Sequence, residues 1–240
     1  MCELLLKNLN NKSVFIFDTE TTGLPERVPH TTWGTPGEYW LYSMNDKYDK
    51  SRIVSVAWSL SKQFSKLIMS DKIHYYIRQP EGFTDIPSSH IHGITFNMAV
   101  TDGIMFNDIF EDKGLYDDLL ACEYIIAHNV YFDIHILLNE LYRLNTEKAK
   151  KTIVHIQSLI TLKRCICTGN INKDICKLEF NNSKYTKSNK KQKIYKMPKL
   201  SELYKYYYGT EMENAHNAEG DVIAVKKCIL KMIETHNVDI

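Results

Sequence analysis

The stretch SVFIFDTETTG, Ser13 to Gly23, decides how the rest of the chain is read. Its first half is an apolar run of β-branched and aromatic residues, and it stops at an acidic, Thr-rich turn, which is the pattern of a buried strand. Asp18 and Glu20 stand two apart at the strand's end, and side chains two apart in a strand project from one face. Two carboxylates therefore converge on one point. Left unpaired they repel, and one takes up a proton unless a cation sits between them. Hard oxygen ligands favour magnesium or manganese. Taken alone, the same residues would also suit an acidic strand end in a solvated turn.

Working outward, Arg52 to Leu60 and Lys66 to Arg78 alternate well enough for two further strands, giving a three-strand meander. Between the first two strands, residues 25–50 hold Trp33, Tyr39, Trp40, Tyr42 and Tyr48 with several Pro and Gly and no steady period, which predicts a long excursion from the core. Phe106 to Leu120 and Asn129 to Leu144 have helical spacing, with a short buried strand, Glu123 to Ala127, between them. A helix over Lys148 to Thr161, a strand over Arg164 to Thr168, and helices over Pro198 to Tyr208 and Ala218 to Thr235 complete an α/β alternation. From 170 to 197 the chain reads as a polar, Lys- and Asn-rich loop. Between Lys163 and Lys199 there are eleven Lys or Arg against two acids, a patch suited to holding phosphates.

Two further clusters follow the first. In HNVYFDIHIL, from His128, a strand end leads into a helix whose first turn carries Asp133. An acid there also complements the helix dipole. In HNAEGDVIAV, His216 sits in a Gly- and Asn-containing loop, and Asp221 heads an apolar, helix-periodic run. A loop histidine is suited to take a proton from water near neutral pH.

The 240 residues are 44% hydrophobic and 25% charged with a net charge of +1, which excludes a disordered chain and predicts one domain of about 1–240. No apolar run approaches the ~20 residues of a bilayer span, and Met1 to Lys12 lacks the features of a secretory signal, so an intracellular, soluble protein is expected. The six cysteines show no disulfide spacing, and reduced thiols are expected. Cys165, Cys167 and Cys176 form only a weak zinc pattern, lacking a fourth ligand.

FDTETTG, HNVYFD and H-x4-D, in this order, resemble the three motifs of the DEDDh-type 3′→5′ exonucleases, the family of the bacterial polymerase proofreading subunit and RNase T. IPSSHIHGIT, from Ile86, and KLSELYKYYYG, from Lys199, are similar to two further family segments, so the resemblance spans about 11–235. It implies a DnaQ-like, RNase H-like α/β fold, a central mixed β-sheet flanked by helices. It implies that Asp18, Glu20, Asp133 and Asp221 hold two Mg2+ or Mn2+ ions, with His216 as general base. It further implies that Thr21, Thr22 and Leu24 line the pocket for the terminal nucleoside, and that His92 and Phe132 approach the substrate strand. The expected activity is hydrolysis of phosphodiester bonds from the 3′ end of single-stranded nucleic acid, releasing nucleoside 5′-monophosphates. DNA is slightly favoured; an exoribonuclease and a catalytically inactive nucleic-acid-binding module are the alternatives. A homodimer, and a polymerase or repair partner, are compatible with the resemblance. Residues 25–50 and the lysines Lys184, Lys187, Lys190, Lys191, Lys193, Lys196 and Lys199 depart from the family pattern. The lysines are suited to steering a nucleic-acid backbone.

Overall fold

The computed structural model describes residues 2–31, 35–65, 68–179, 195–213 and 215–235. In chain order the elements are α1 (Cys2–Leu9), β1 (Val14–Thr21), β2 (Ile53–Ser61), β3 (His74–Ile77), α2 (Ser89–His92), α3 (Phe96–Asp102), α4 (Phe106–Glu111) and α5 (Leu115–Ala121). There follow β4 (Tyr124–Ala127), α6 (Val130–Leu144), α7 (Glu147–Thr161), β5 (Cys165–Cys167), α8 (Thr168–Cys176), α9 (Leu200–Tyr208) and α10 (Ala218–Thr235).

The five strands form one mixed sheet in the order β3-β2-β1-β4-β5. The meander β1-β2-β3 is antiparallel, and β4 and β5 join it in parallel. Alternation along β1 explains the layers. Phe15 and Phe17 pack with Trp58 against α4 to α7 on one face, while Val14 and Ile16 pack with Ala57 against α1, α9 and α10 on the other. Helices on both faces leave β1 buried at the centre, which is why it reads as a continuous apolar run.

Several expectations are corrected in detail. The helix read over Phe106 to Leu120 is two, because Gly114 enters the left-handed region at φ 93° and starts α5. The strand read over Lys66 to Arg78 shrinks to His74–Ile77, preceded by a 3-10 turn at Ile68–Ser70. The loop read from 170 begins instead as α8, in which Asn172 is buried because its amide donates to the Thr168 carbonyl (2.8 Å) and accepts from the Tyr207 hydroxyl (2.6 Å). Satisfied in this way, an Asn behaves as a core residue. Lys184, Lys187, Lys190, Lys191, Lys193 and Trp33 lie outside the described residues.

The described residues of the excursion at 25–50 pack on the domain. Tyr48 and Tyr39 are buried, and Asn139 of α6 donates to the Tyr42 carbonyl and to Asn45 Oδ1 at 2.7 and 2.9 Å. Arg143 reaches the Asn45 carbonyl and Asp49 at 2.9 and 2.7 Å. Among the described residues, Cys122, Cys165, Cys167, Cys176 and Cys228 are free thiols.

Candidate metal centre and nucleic-acid cleft

The end of β1 distributes its side chains by the same alternation that built the core. Asp18 and Glu20 fall on the α10 side, and Thr19 on the α6 side. The ladder to β2 shifts register between Glu20 and Thr21, a bulge that ends the strand where the acids stand. α10 starts beside them: Asn217 Oδ1 accepts from the Gly220 N–H at 3.2 Å, which caps the helix and places Asp221 in its first turn. Asp18, Glu20 and Asp221 each offer an oxygen, and these lie within 4.8 Å of one another. Asp133, in the first turn of α6, is tied from the other side: its Oδ1 accepts from the Thr19 N–H at 3.0 Å and the Thr19 hydroxyl at 2.7 Å.

The electrostatics of this group show strong mutual repulsion. Burial, then the charges of Asp133, Asp221 and Glu20, hold the Asp18 carboxyl well above the usual carboxylate range. Burial pushes Glu20 up to about 8, with Asp221 and Asp133 adding to it. Burial likewise raises Asp133 and Asp221 to about 7, although hydrogen bonds from Thr19 and from the His216 backbone oppose it. Asp221 Oδ1 is buried with no hydrogen-bond partner. A converging set of hard oxygens with an orphaned buried acceptor fits a divalent cation such as Mg2+ or Mn2+. Among the described residues this is the one group of three or more potential ligands that gathers; Cys165, Cys167 and Cys176 do not.

His216 is exposed, in the left-handed region at φ 63°, immediately before the Asn217 cap. With Asp18 and Asp221 it borders a cleft of about 1000 Å³. Basic side chains line the same cleft: Arg27, Lys173, Lys196 and Lys199. One wall is the segment 195–199, which His128 anchors, its Nε2 facing the Pro198 carbonyl at 2.9 Å and its Nδ1 the Thr168 hydroxyl at 3.0 Å. Burial depresses His128 to about 4, so it is neutral at physiological pH.

The other residues read from the sequence divide. Leu24, which follows the Thr-Thr-Gly turn, is 75% exposed. Thr21 and Thr22 are buried and close the turn: the Thr21 hydroxyl donates to the Gly23 carbonyl at 2.7 Å and that of Thr22 to the Lys50 carbonyl at 3.1 Å. His92 is buried, with Nδ1 accepting from the Ile94 N–H at 3.1 Å, so Nε2 carries the proton it offers to the Thr21 carbonyl at 3.3 Å. That places His92 behind the turn, supporting it. Phe132 is half-buried, edge-on to Tyr39 with ring centroids 6.5 Å apart.

Gly23 is required at its position because a Cβ there would stand 2.7 Å from the Lys50 carbonyl oxygen. Gly23→Ala is therefore expected to destabilise the protein by about 1–3 kcal/mol, since backbone must move. A thermal melt within a degree of wild type would contradict this.

Sequence reasoning missed Glu140, two helical turns after Asp133 on the sheet-facing side of α6. It accepts from Arg52 Nε and Nη2 at 2.8 and 2.9 Å and from the Ile53 N–H at 3.1 Å, and Arg78 Nη1 lies 2.7 Å away. Arg52 in turn donates its backbone N–H to the Thr22 hydroxyl at 2.9 Å, so this ion cluster braces the turn after Glu20. An acid seven residues past Asp133 on an otherwise apolar face was the available signal. Arg27, from the excursion, was also missed; Tyr39 was named only among the excursion's aromatics, and no spacing in the sequence links either to the acids.

No protein-family model matches this sequence, and no curated protein matches it. Solved structures do. E. coli exonuclease I in complex with a dT13 oligonucleotide is 16% identical, with a TM-score of 0.58 over 94% of this chain and 42% of that one. The zinc-bound form of the E. coli exonuclease I complex with single-stranded DNA is 15% identical, with a TM-score of 0.57 over 94% of this chain and 41% of that one. Exonuclease I from Methylocaldum szegediense is 14% identical, with a TM-score of 0.56 over 93% of this chain and 40% of that one. The chain thus spans about two fifths of the length of the structures it matches. At this identity the likeness speaks for architecture, and it agrees with the mixed five-stranded sheet: the chain has the RNase H-like α/β fold of exonuclease I.

Proposed function

We propose that this protein is a metal-dependent 3′→5′ exonuclease that shortens single-stranded DNA and releases nucleoside 5′-monophosphates. The observation that carries this reading is the convergence of Asp18, Glu20 and Asp221 within 4.8 Å at the border of a cleft lined by basic side chains. The neighbouring fold is that of a nuclease solved with oligodeoxynucleotides, which supports DNA as the polymer.

Asp18, Glu20 and Asp221, with Asp133 beside them, would hold Mg2+ or Mn2+, two ions on the reading that the motifs suggest. When bound, such cations neutralise the acids and act as Lewis acids on a phosphodiester. Thr19 fixes the orientation of Asp133 through its two hydrogen bonds. His216, exposed at the cleft, takes a proton from the attacking water as the bond from phosphorus to the 3′ oxygen breaks. Leu24 covers the terminal base, while Thr21 and Thr22 hold the turn from which it projects.

The test is incubation of 5′-labelled single-stranded DNA and RNA of one sequence with Mg2+, Mn2+ or chelator. Stepwise shortening from the 3′ end, faster on DNA and absent with chelator, is expected. Faster shortening of RNA would move the reading to an exoribonuclease. Binding without cleavage under every metal would leave a nucleic-acid-binding module in its place.

A further inference from the structure

Arg27 belongs to the excursion at 25–50, yet it lines the same cleft as Asp18, His216 and Asp221. Its position is over-determined. Arg27 and Tyr39 form an antiparallel β-bridge, and the Val28 N–H donates to the Glu38 carbonyl at 2.9 Å. The Arg27 guanidinium is ion-paired with Glu38, whose side chain is fully buried, while Arg27 itself keeps 39% of its side chain exposed. Tyr39 fastens this bridge to the site: its ring lies 5.0 Å from that of His135 and edge-on to Phe132 at 6.5 Å. His135 and Phe132 both come from the HNVYFDIH motif that carries Asp133.

An ion pair with one member fully buried is a poor way to gain stability, because desolvation of that carboxylate offsets the attraction. It is a good way to orient a guanidinium, whose planar fork of five donors can serve one carboxylate and still present N–H groups to a second anion. Within a cleft that leads to an acid cluster, the second anion with matching chemistry is a phosphodiester. We propose that Arg27, aimed by Glu38, binds a backbone phosphate of the strand in the cleft, so that the excursion is a substrate-positioning arm of the site. This rests on the nuclease reading for its ligand, but the contact itself needs no turnover.

Binding of a 5′-fluorescent oligothymidylate is therefore measured by anisotropy across a range of salt, with Ca2+ in place of Mg2+. Arg27→Met is expected to weaken binding about tenfold, as loss of a charge-assisted hydrogen bond would. It should also reduce the slope of log affinity against log salt by about 0.7, the share of one single-strand phosphate. Arg27→Lys keeps the charge and should restore the slope but not the full affinity. Glu38→Gln should weaken binding with the slope preserved, and Lys151→Met, on α7, should match wild type. If Arg27→Met binds with wild-type affinity and slope, the inference is overturned. If its affinity falls but Arg27→Lys falls equally with an unchanged slope in both, the arginine has only a structural role and the inference is likewise overturned. Wild-type protein that binds through Arg27 yet cleaves nothing would sink the exonuclease reading alone; wild-type protein that does not bind the strand would sink both.

Discussion

Asp221→Asn is expected to lower turnover at least about a thousandfold, because it removes one ligand oxygen from the point where three carboxylates meet. The same substitution should leave the fold intact. Asp221 heads α10 and its Oδ1 has no hydrogen-bond partner to lose, while its charge is one of those raising Asp18, Glu20 and Asp133. A neutral amide removes that repulsion. Loss of activity should therefore come with a metal-free protein at least as stable as wild type, a combination that a merely misfolded variant cannot produce. Initial rates on labelled oligonucleotide, paired with thermal melts in chelator, check both halves. A variant with wild-type turnover, or one dead and strongly destabilised, would count against the assignment.

Glu140→Ala should produce the opposite pattern, a large loss of stability. Glu140 is buried between Arg52 and Arg78, themselves buried, so truncation strands two guanidinium groups away from water. Breaking a buried pair from one side costs about 3–5 kcal/mol, or roughly 10 °C in midpoint for a domain of this size. Burial alone would raise the Glu140 pKa, but Arg78 and Arg52 outweigh it and hold it down at about 2. A carboxyl depressed in the folded state stabilises fully above the unfolded carboxylate pKa and is lost only as pH falls through about 2. The Glu140→Ala deficit should accordingly be constant from pH 6 to 9. Chemical denaturation at both pH values measures it, and a deficit under 1 kcal/mol would show that the cluster relaxes. Because Arg52 also holds Thr22, activity should fall with stability.

The contrast between these residues explains what could be read from sequence. Asp18 and Glu20 were legible because strand periodicity alone puts them on one face, and the apolar run before them left only a central strand as host. Asp133 and Asp221 were legible as helix-start acids next to strand-end or loop signals. Leu24, Thr21, Thr22 and His92 needed tertiary contacts to separate: the same turn leaves Leu24 exposed while the other three are buried behind it. The placement of Arg27 and Tyr39 was invisible because it depends on a bridge within an aperiodic segment and on packing against α6, neither of which leaves a spacing. α8 was misread for a related reason, its polar side chains being satisfied by partners far along the chain, such as Tyr207 for Asn172. The break at Gly114 was there to be seen, since a glycine inside a helical pattern marks a boundary when it adopts positive φ.

Thermal stability as a function of pH and metal shows whether the acid cluster is built to be neutralised by a cation. Folded-state pKa values near 8 for Glu20 and near 7 for Asp133 and Asp221 mean that the native, metal-free protein holds protons which the unfolded chain has already released. Its stability must therefore fall as pH rises through that range. Below about pH 6.5 the slope flattens, because His92, His128 and His135 are kept neutral by burial and the unfolded chain takes up protons there, offsetting those the carboxyls hold. The informative window is thus pH 6.5 to 9. In chelator the midpoint of wild type should drop by roughly 5 °C across it. Saturating Mn2+ should abolish that drop, since a ligand of the native state stabilises by mass action. Asp18→Asn should show a smaller drop and little response to Mn2+. A wild-type midpoint that neither falls with pH in chelator nor responds to Mn2+ would contradict the account.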